Sequence, residues 1–157
     1  MWIDGEDLFA QDEDGRARLR GRGALQNVTG RFEAASRVAF EDGWAPPEDR
    51  VLRTEVRVEA PRSAINYNAS PDLPFDRSVN PYRGCEHGCV YCFARPSHAY
   101  LDLSPGLDFE TKIVAKRNIA ERLRRELLAP RYQPDLLVVG TVTDAYQPVE
   151  RELRLTR

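Results

Sequence analysis

The sequence predicts an α/β fold built from about three strand–helix units, too few to close a barrel. Three observations predict it. Residues 52–60 alternate apolar and charged side chains. Ile119, Leu123 and Leu127 recur at helical spacing. Leu136, Leu137, Val138 and Val139 form an uninterrupted apolar run of strand length. Strands alternating with helices imply right-handed βαβ units and a parallel sheet, whose ligands gather at the C-terminal ends of the strands.

Composition divides the chain into three parts. Residues 1–50 read as a flexible, partly basic arm and linker. Asp12, Glu13 and Asp14 precede Arg16, Arg18, Arg20 and Arg22, with Gly15, Gly21 and Gly23 interspersed, and no apolar period is sustained. A solvated arm is the plain reading; a basic arm touching phosphates is the sharper one. Trp44-Ala45-Pro46-Pro47 reads as a linker, because two prolines block a regular element.

Residues 51–77 read as a strand and an irregular connection. Leu52, Thr54, Val56, Val58 and Ala60 share one face, and Arg53, Glu55, Arg57 and Glu59 the other. That pattern predicts a half-buried strand. Pro61, Pro71 and Pro74 keep the following stretch irregular.

Residues 78–157 carry the strand–loop–helix pattern. A short strand ending at 78–80 leads into a cysteine-rich loop. Short elements follow: a helix over 97–103 and a strand over 111–116. Asn118 is placed to cap the next helix, with Glu121 and Arg125 as an exposed i,i+4 pair and Pro130 as its stop. The apolar run at 136–139 suits a strand buried on both faces. The loop 140–147 comes next, and Pro148 opens a last helix with Glu150 and Glu152 in its first turn. No glycine cap or stop signal follows, so the helix is expected to continue through Arg157. The two informative loops, 81–93 and 140–147, are expected on the same side of the sheet.

Bulk properties exclude several roles. The net charge of −2 gives no global drive onto nucleic acid. No apolar run approaches the roughly 20 residues of a membrane span. The N-terminus lacks a basic stretch followed by an apolar one, so no signal peptide is predicted. A cytoplasmic protein without membrane partners is the expectation.

Cysteine usage is more specific. The three cysteines, Cys85, Cys89 and Cys92, all lie within one short loop. An odd, clustered set makes a poor disulfide framework and fits a shared metal centre in a reducing compartment. The spacing is C-x3-C-x2-C. Most protein [4Fe–4S] clusters have four cysteine ligands. Three leave one iron open to another ligand, by the logic that leaves a position open on catalytic zinc. Gly84 and Gly88 let the backbone wrap closely around the sulfurs. The competing reading is a structural zinc site, with His87 or His98 as fourth ligand, in a nucleic-acid-binding module without catalysis. Common zinc spacings pair C-x2-C units some distance apart, so that fit is poorer.

C-x3-C-x2-C with an aromatic residue before the last cysteine resembles the cluster motif of the radical-SAM superfamily. The likeness extends to three stretches: Ser78-Val-Asn-Pro-Tyr-Arg-Gly-Cys-Glu-His-Gly-Cys-Val-Tyr-Cys-Phe-Ala-Arg-Pro96, Ser104-Pro-Gly-Leu-Asp-Phe-Glu-Thr-Lys112, and Gly140-Thr-Val-Thr-Asp-Ala-Tyr-Gln-Pro-Val-Glu-Arg151. These resemble the bacterial group described as DNA-repair-photolyase-like, which is distantly similar to spore photoproduct lyase. Weaker similarity reaches back to Gly21-Arg22-Gly23. Phe93 stands where that group has Tyr, and Ala145 where it has Pro.

The resemblance implies a radical-SAM partial (β/α) barrel, incomplete in this chain and preceded by the arm and the short strand. It implies a lyase-like enzyme with two cofactors, a [4Fe–4S] cluster on Cys85, Cys89 and Cys92 and S-adenosyl-L-methionine (SAM). SAM would chelate the open iron through its amino and carboxylate groups and be cleaved reductively to a 5′-deoxyadenosyl radical. Tyr91 would pack near the adenine, and Thr143 and Asp144 would border the SAM pocket. A flavodoxin- or ferredoxin-type protein would supply the electron. The substrate class implied is a DNA lesion, by analogy alone. Further strands, SAM contacts and most of the substrate site are expected beyond residue 157.

Several residues keep two readings at this stage. His87 is either exposed or close to the cluster. Arg83 and Arg95 are either surface residues or partners of cluster charge, a carboxylate or a phosphate. Asp144 either contacts SAM or stabilises its own turn. Lys116 and Asn118 end a strand, with helix capping by Asn118 set against cofactor contact. Tyr146 and Gln147 are possible pocket residues without further argument.

Overall fold

The computed structural model describes residues 21–24, 27–34 and 53–157. The acidic run, Arg16, Arg18, Arg20, the 44–47 linker and Leu52 lie outside the described residues. The elements are β1 (Glu55–Glu59), β2 (Ile65–Tyr67), β3 (Arg77–Val79), β4 (Tyr82–Arg83), a 3-10 helix (Arg95–Leu101), α1 (Leu107–Thr111), β5 (Lys112–Lys116), α2 (Ile119–Leu127), β6 (Leu137–Val139) and α3 (Glu150–Leu153).

The strands form two three-stranded sheets, ordered β1-β5-β4 and β2-β3-β6. The fold is therefore mixed α/β, and no closed barrel forms among the described residues. β1 with β5 and β3 with β6 pair in parallel, as the βαβ pattern predicts. β2 with β3 and β4 with β5 are antiparallel, which departs from an all-parallel sheet. Residues 68–76 join β2 to β3, a connection shorter than the roughly dozen residues a parallel crossover needs, so the pair is antiparallel. The chain then switches sheets across Asn80 and Pro81, so β4 meets β5 rather than continuing along β6.

Arg77 aligns the second sheet. Its guanidinium donates to Asp76 at 2.7 and 3.0 Å and to the Gln133 carbonyl at 2.6 Å. It lies 5.6 Å from each of the Tyr67 and Tyr132 ring centroids. This cation–π sandwich joins β2, β3 and the approach to β6. Val79 then stands opposite Val139, and Gly140 N–H donates to the Val79 carbonyl at 3.0 Å. The loops that follow β3 and β6 thus start side by side.

The apolar stripe of α2 packs through Ile119 and Leu123, whereas Leu127 is exposed. Ile119 joins Ala64, Ile65 and Val79 in a core, with Leu123, Tyr132, Leu137 and Leu155 against it. A second core on the other sheet contains Tyr82, Ile113, Ala115 and Val149, and Leu155 touches both. Glu126 ties the end of α2 to β2 by accepting the Ala64 and Ile65 N–H groups at 2.8 and 2.9 Å. Glu121 and Arg125 pair at 2.6 Å on the exposed side.

Five local expectations need correction. Val56 and Val58 of β1 are exposed, and so are Leu136 and Val139 around β6. Both strands lie at sheet edges, and no described element covers their outer faces. Asn118 occupies the N-cap position, but its side chain makes no capping bond and its Oδ1 is buried without a partner. Its φ/ψ of −99°/20° departs from the extended backbone that capping requires. The helix expected over 97–103 is a 3-10 helix started by Pro96 and ended by Asp102 at φ 56°. Thr111 belongs to α1 rather than to the strand, its hydroxyl donating to the Leu107 carbonyl at 2.8 Å. Finally, α3 stops at Leu153. Arg154 turns at φ 50°, and the Leu155, Thr156 and Arg157 N–H groups donate to the Glu150 carboxylate at 2.9, 3.0 and 3.2 Å. A side chain inside the helix thus ends it, a signal no terminal glycine announces. No helix among the described residues is long and apolar enough to cross a membrane.

Candidate metal and cofactor site

The cysteine loop consists of three consecutive turns, each opened by a cysteine. Gly88, Cys92 and Arg95 N–H groups donate to the carbonyls of Cys85, Cys89 and Cys92, at 3.2, 3.2 and 3.4 Å. Gly84 sets the direction of entry at φ 79°. A Cβ there would lie 2.9 Å from both His98 Cε1 and the Phe109 carbonyl. Gly88 turns the loop at φ 62°. Cys85 N–H anchors the loop on the Phe109 carbonyl at 3.0 Å.

The three sulfurs have different surroundings. Cys85 is buried with Ala94 and Phe109, and Cys92 packs against the same cluster. Cys89 is exposed. Burial pushes the Cys85 thiol up, while backbone N–H groups of Asp144 and His87 pull the other way. No three His, Cys, Asp or Glu side chains among the described residues converge as a ready metal-binding group.

The second loop closes onto the first, as the strand order predicts. Asn80 Nδ2 donates to Thr141 Oγ1 at 3.1 Å, and Asn80 Oδ1 accepts the Val142 N–H at 2.9 Å. The Thr143 hydroxyl donates to the Gly84 carbonyl at 2.7 Å and accepts from Gln147 Nε2 at 3.1 Å. The Thr143 side chain is therefore buried between the loops. Asp144 stabilises its own turn, one of the two roles left open for it, and also faces His87. Its Oδ1 accepts the Tyr146 N–H at 2.7 Å, forming an Asx turn, and its Oδ2 stands 3.3 Å from His87 Nε2.

Two buried carboxylates that the sequence did not reveal hold the cysteine loop from below. Glu86 Oε1 accepts the Thr54 hydroxyl at 2.8 Å, and its Oε2 accepts the Val149 N–H at 2.9 Å. Its own N–H donates to Gln147 Oε1 at 3.0 Å. Glu110 is fully buried. It accepts the Gly23 N–H at 3.0 Å and the Ala24 N–H at 2.7 Å, and pairs with Arg95. Arg95 in turn donates to the Gly88 carbonyl at 2.6 Å and the Cys89 carbonyl at 3.0 Å. Its guanidinium lies 5.3 Å from the Phe109 ring centroid.

Among the described residues, 21–24 and 27–34 are bonded to the rest of the protein. The Arg22 guanidinium donates to the Glu110 carbonyl at 2.8 Å and to the Thr54 hydroxyl at 3.1 Å. Asn27 exchanges bonds with Asp108 at 3.1 and 2.9 Å. The Ser104 hydroxyl donates to the Val28 carbonyl at 2.6 Å, and Phe32 packs against Tyr100. Arg22 and Arg95 are thereby engaged within the protein.

Other predicted residues are placed differently. Tyr91 and Tyr146 are exposed, whereas Gln147 is buried between the loops. His98 is fully buried, its Nε2 3.0 Å from the Lys112 carbonyl. Burial lowers its pKa, which favours the neutral ring. Lys116, at the C-terminal end of β5, is only 5% exposed. Burial and the nearby Arg83 push its ammonium down to about 8, with Glu59 opposing. A lysine closing a strand carries no sequence signal of such burial.

The chain matches no family model and no solved structure. It is 48% identical over 108 residues to uncharacterized proteins of Mycobacterium bovis and of Mycobacterium tuberculosis (strain H37Rv), covering 68% of this chain and 31% of each relative. An uncharacterized protein of Methanocaldococcus jannaschii is 27% identical over 79 residues, covering 50% of this chain and 27% of that protein. The aligned stretch thus spans less than a third of these relatives.

Proposed function

We propose that this chain is part of a radical-SAM enzyme whose [4Fe–4S] cluster is held by Cys85, Cys89 and Cys92. The observation that carries the reading is the loop of three consecutive cysteine-led turns, with Cys85 and Cys92 in one packing cluster. Three thiols, no fourth cysteine and tight glycine turns fit a cluster with one open iron. When bound, such a cluster supplies the electron that splits the SAM sulfonium into methionine and a 5′-deoxyadenosyl radical.

The protein's own part is orientation and shelter. The Asn80, Thr143 and Gln147 bonds fix the 140–147 loop against the cysteine loop, so Asp144 borders the cysteines. Tyr91, beside Cys92, offers an exposed ring for the adenine. The two small sheets, with β1–β5 and β3–β6 parallel, suit the opening of a partial (β/α) barrel. A reducing flavodoxin- or ferredoxin-type partner, a cytoplasmic setting and a DNA-lesion substrate complete the proposal. The nucleic-acid part rests on the family likeness alone, since Arg22 is engaged with Glu110 and Thr54.

Anaerobic reconstitution with iron and sulfide tests the reading. Brown protein with about four irons per chain, bleached on reduction, is expected. Colourless protein that retains zinc through the same treatment would instead establish the structural zinc site.

A further inference from the structure

We propose that Glu110 is a positioning residue for Cys89, acting through Arg95 and braced by the 21–24 segment. The inference rests on the reading of residues 85–92 as a metal-binding loop, and it assigns a task to residues outside that loop.

Cys89 is the exposed cysteine, so packing does not fix it. Arg95 does, by donating to the carbonyls on both sides of its Cα, Gly88 O at 2.6 Å and Cys89 O at 3.0 Å. A guanidinium holds two acceptors in fixed geometry because its N–H groups form a rigid fork, which the rotatable donors of an ammonium do not. That fork needs its own anchor, and Glu110 supplies it from full burial.

A buried carboxylate with one cation would leave lone pairs unsatisfied. The 21–24 segment satisfies them, with the Gly23 and Ala24 N–H groups donating to the same carboxylate. Gly23 also presses on the loop itself: a Cβ there would lie 1.9 Å from the Gly88 carbonyl oxygen. The Gly88 peptide is thus held from two directions, by Arg95 and by the Gly23 backbone. A stretch of chain more than 60 residues away in sequence closes the loop's far side.

Cobalt(II) binding to the apo protein provides the test. Cobalt–thiolate charge-transfer absorbance counts the thiolates bound, without iron, sulfide or SAM. Native protein is expected to bind cobalt through three thiolates. Glu110→Gln and Arg95→Lys are expected to weaken cobalt affinity ~10- to 100-fold, the usual effect of losing an outer-shell partner, and to drop the signal to two thiolates. Arg95→Lys keeps the cation facing Glu110, so it guards against misfolding of Glu110→Gln. A folded Arg95→Lys protein with an unchanged melting temperature but a lost third thiolate separates positioning from mere stability. Three-thiolate binding at native affinity in the folded variants would overturn the inference. Failure of the native protein to engage three thiolates would refute the metal-loop reading instead.

Discussion

Glu86 donates its backbone N–H to the Gln147 side-chain oxygen at 3.0 Å, and that bond joins the two loops that form the candidate site. Gln147 also donates to Thr143 Oγ1 and lies near the Gly84 carbonyl. Replacing it with alanine leaves the Glu86 N–H buried without a partner. Gln147→Ala is expected to cost about 2–3 kcal/mol in urea unfolding, since each unsatisfied buried group costs about 1–3 kcal/mol. A change below about 0.5 kcal/mol would show that the bond does not join the loops.

Gly84 makes the sharp entry at φ 79°. Alanine there pays about 1–2 kcal/mol for the left-handed backbone, and its Cβ collides with the Phe109 carbonyl, which cannot move aside as a side chain can. Gly84→Ala is expected to unfold at lower urea and to take up little iron. A variant with native midpoint and iron content would remove the glycine from the argument.

Lys116 opposes folding at neutral pH. Its folded pKa of about 8 lies below its ordinary 10.5. Between those values the unfolded chain binds the proton more readily, so stability rises with pH there. Lys116→Met is expected to stabilise the protein at pH 7 by about 1–3 kcal/mol, with the gain shrinking toward pH 10. A loss of stability at pH 7 would mean that the ammonium has a strong partner.

Glu150 behaves in the opposite way. Burial raises its pKa, but the Tyr82 hydroxyl and the Thr156, Arg157 and Leu155 N–H groups outweigh that and hold it below its ordinary 4.5. Its stabilisation is complete above the ordinary value and is lost as pH falls through the folded one. Glu150→Gln should lower the melting temperature at pH 7 and flatten its fall between pH 5 and 3 relative to the native protein. Parallel pH curves would contradict this.

The sequence made the site legible where chemistry and spacing coincide. Cys85, Cys89 and Cys92, the glycines between them and the α2 stripe of Ile119 and Leu123 are readable because each depends on local pattern. β1 and β6 were also located, but their burial was not, because exposure depends on what packs over a strand. Glu86 and Glu110 were invisible for the same reason: an isolated polar residue shows nothing until its partners, some of them more than 60 residues away, are in place. Arg22 was misread because a run of alternating arginines resembles a solvated arm, while its carboxylate-anchored neighbours lie far along the chain.

Electron–nuclear double resonance on the reduced, reconstituted protein asks whether SAM binds the open iron. SAM isotopically labelled at its amino nitrogen and carboxylate oxygens is the probe. Hyperfine coupling to both labels is predicted, with loss of cluster signal in Cys85→Ala, Cys89→Ala and Cys92→Ala proteins. An intact cluster that shows no coupling to either label would contradict the account.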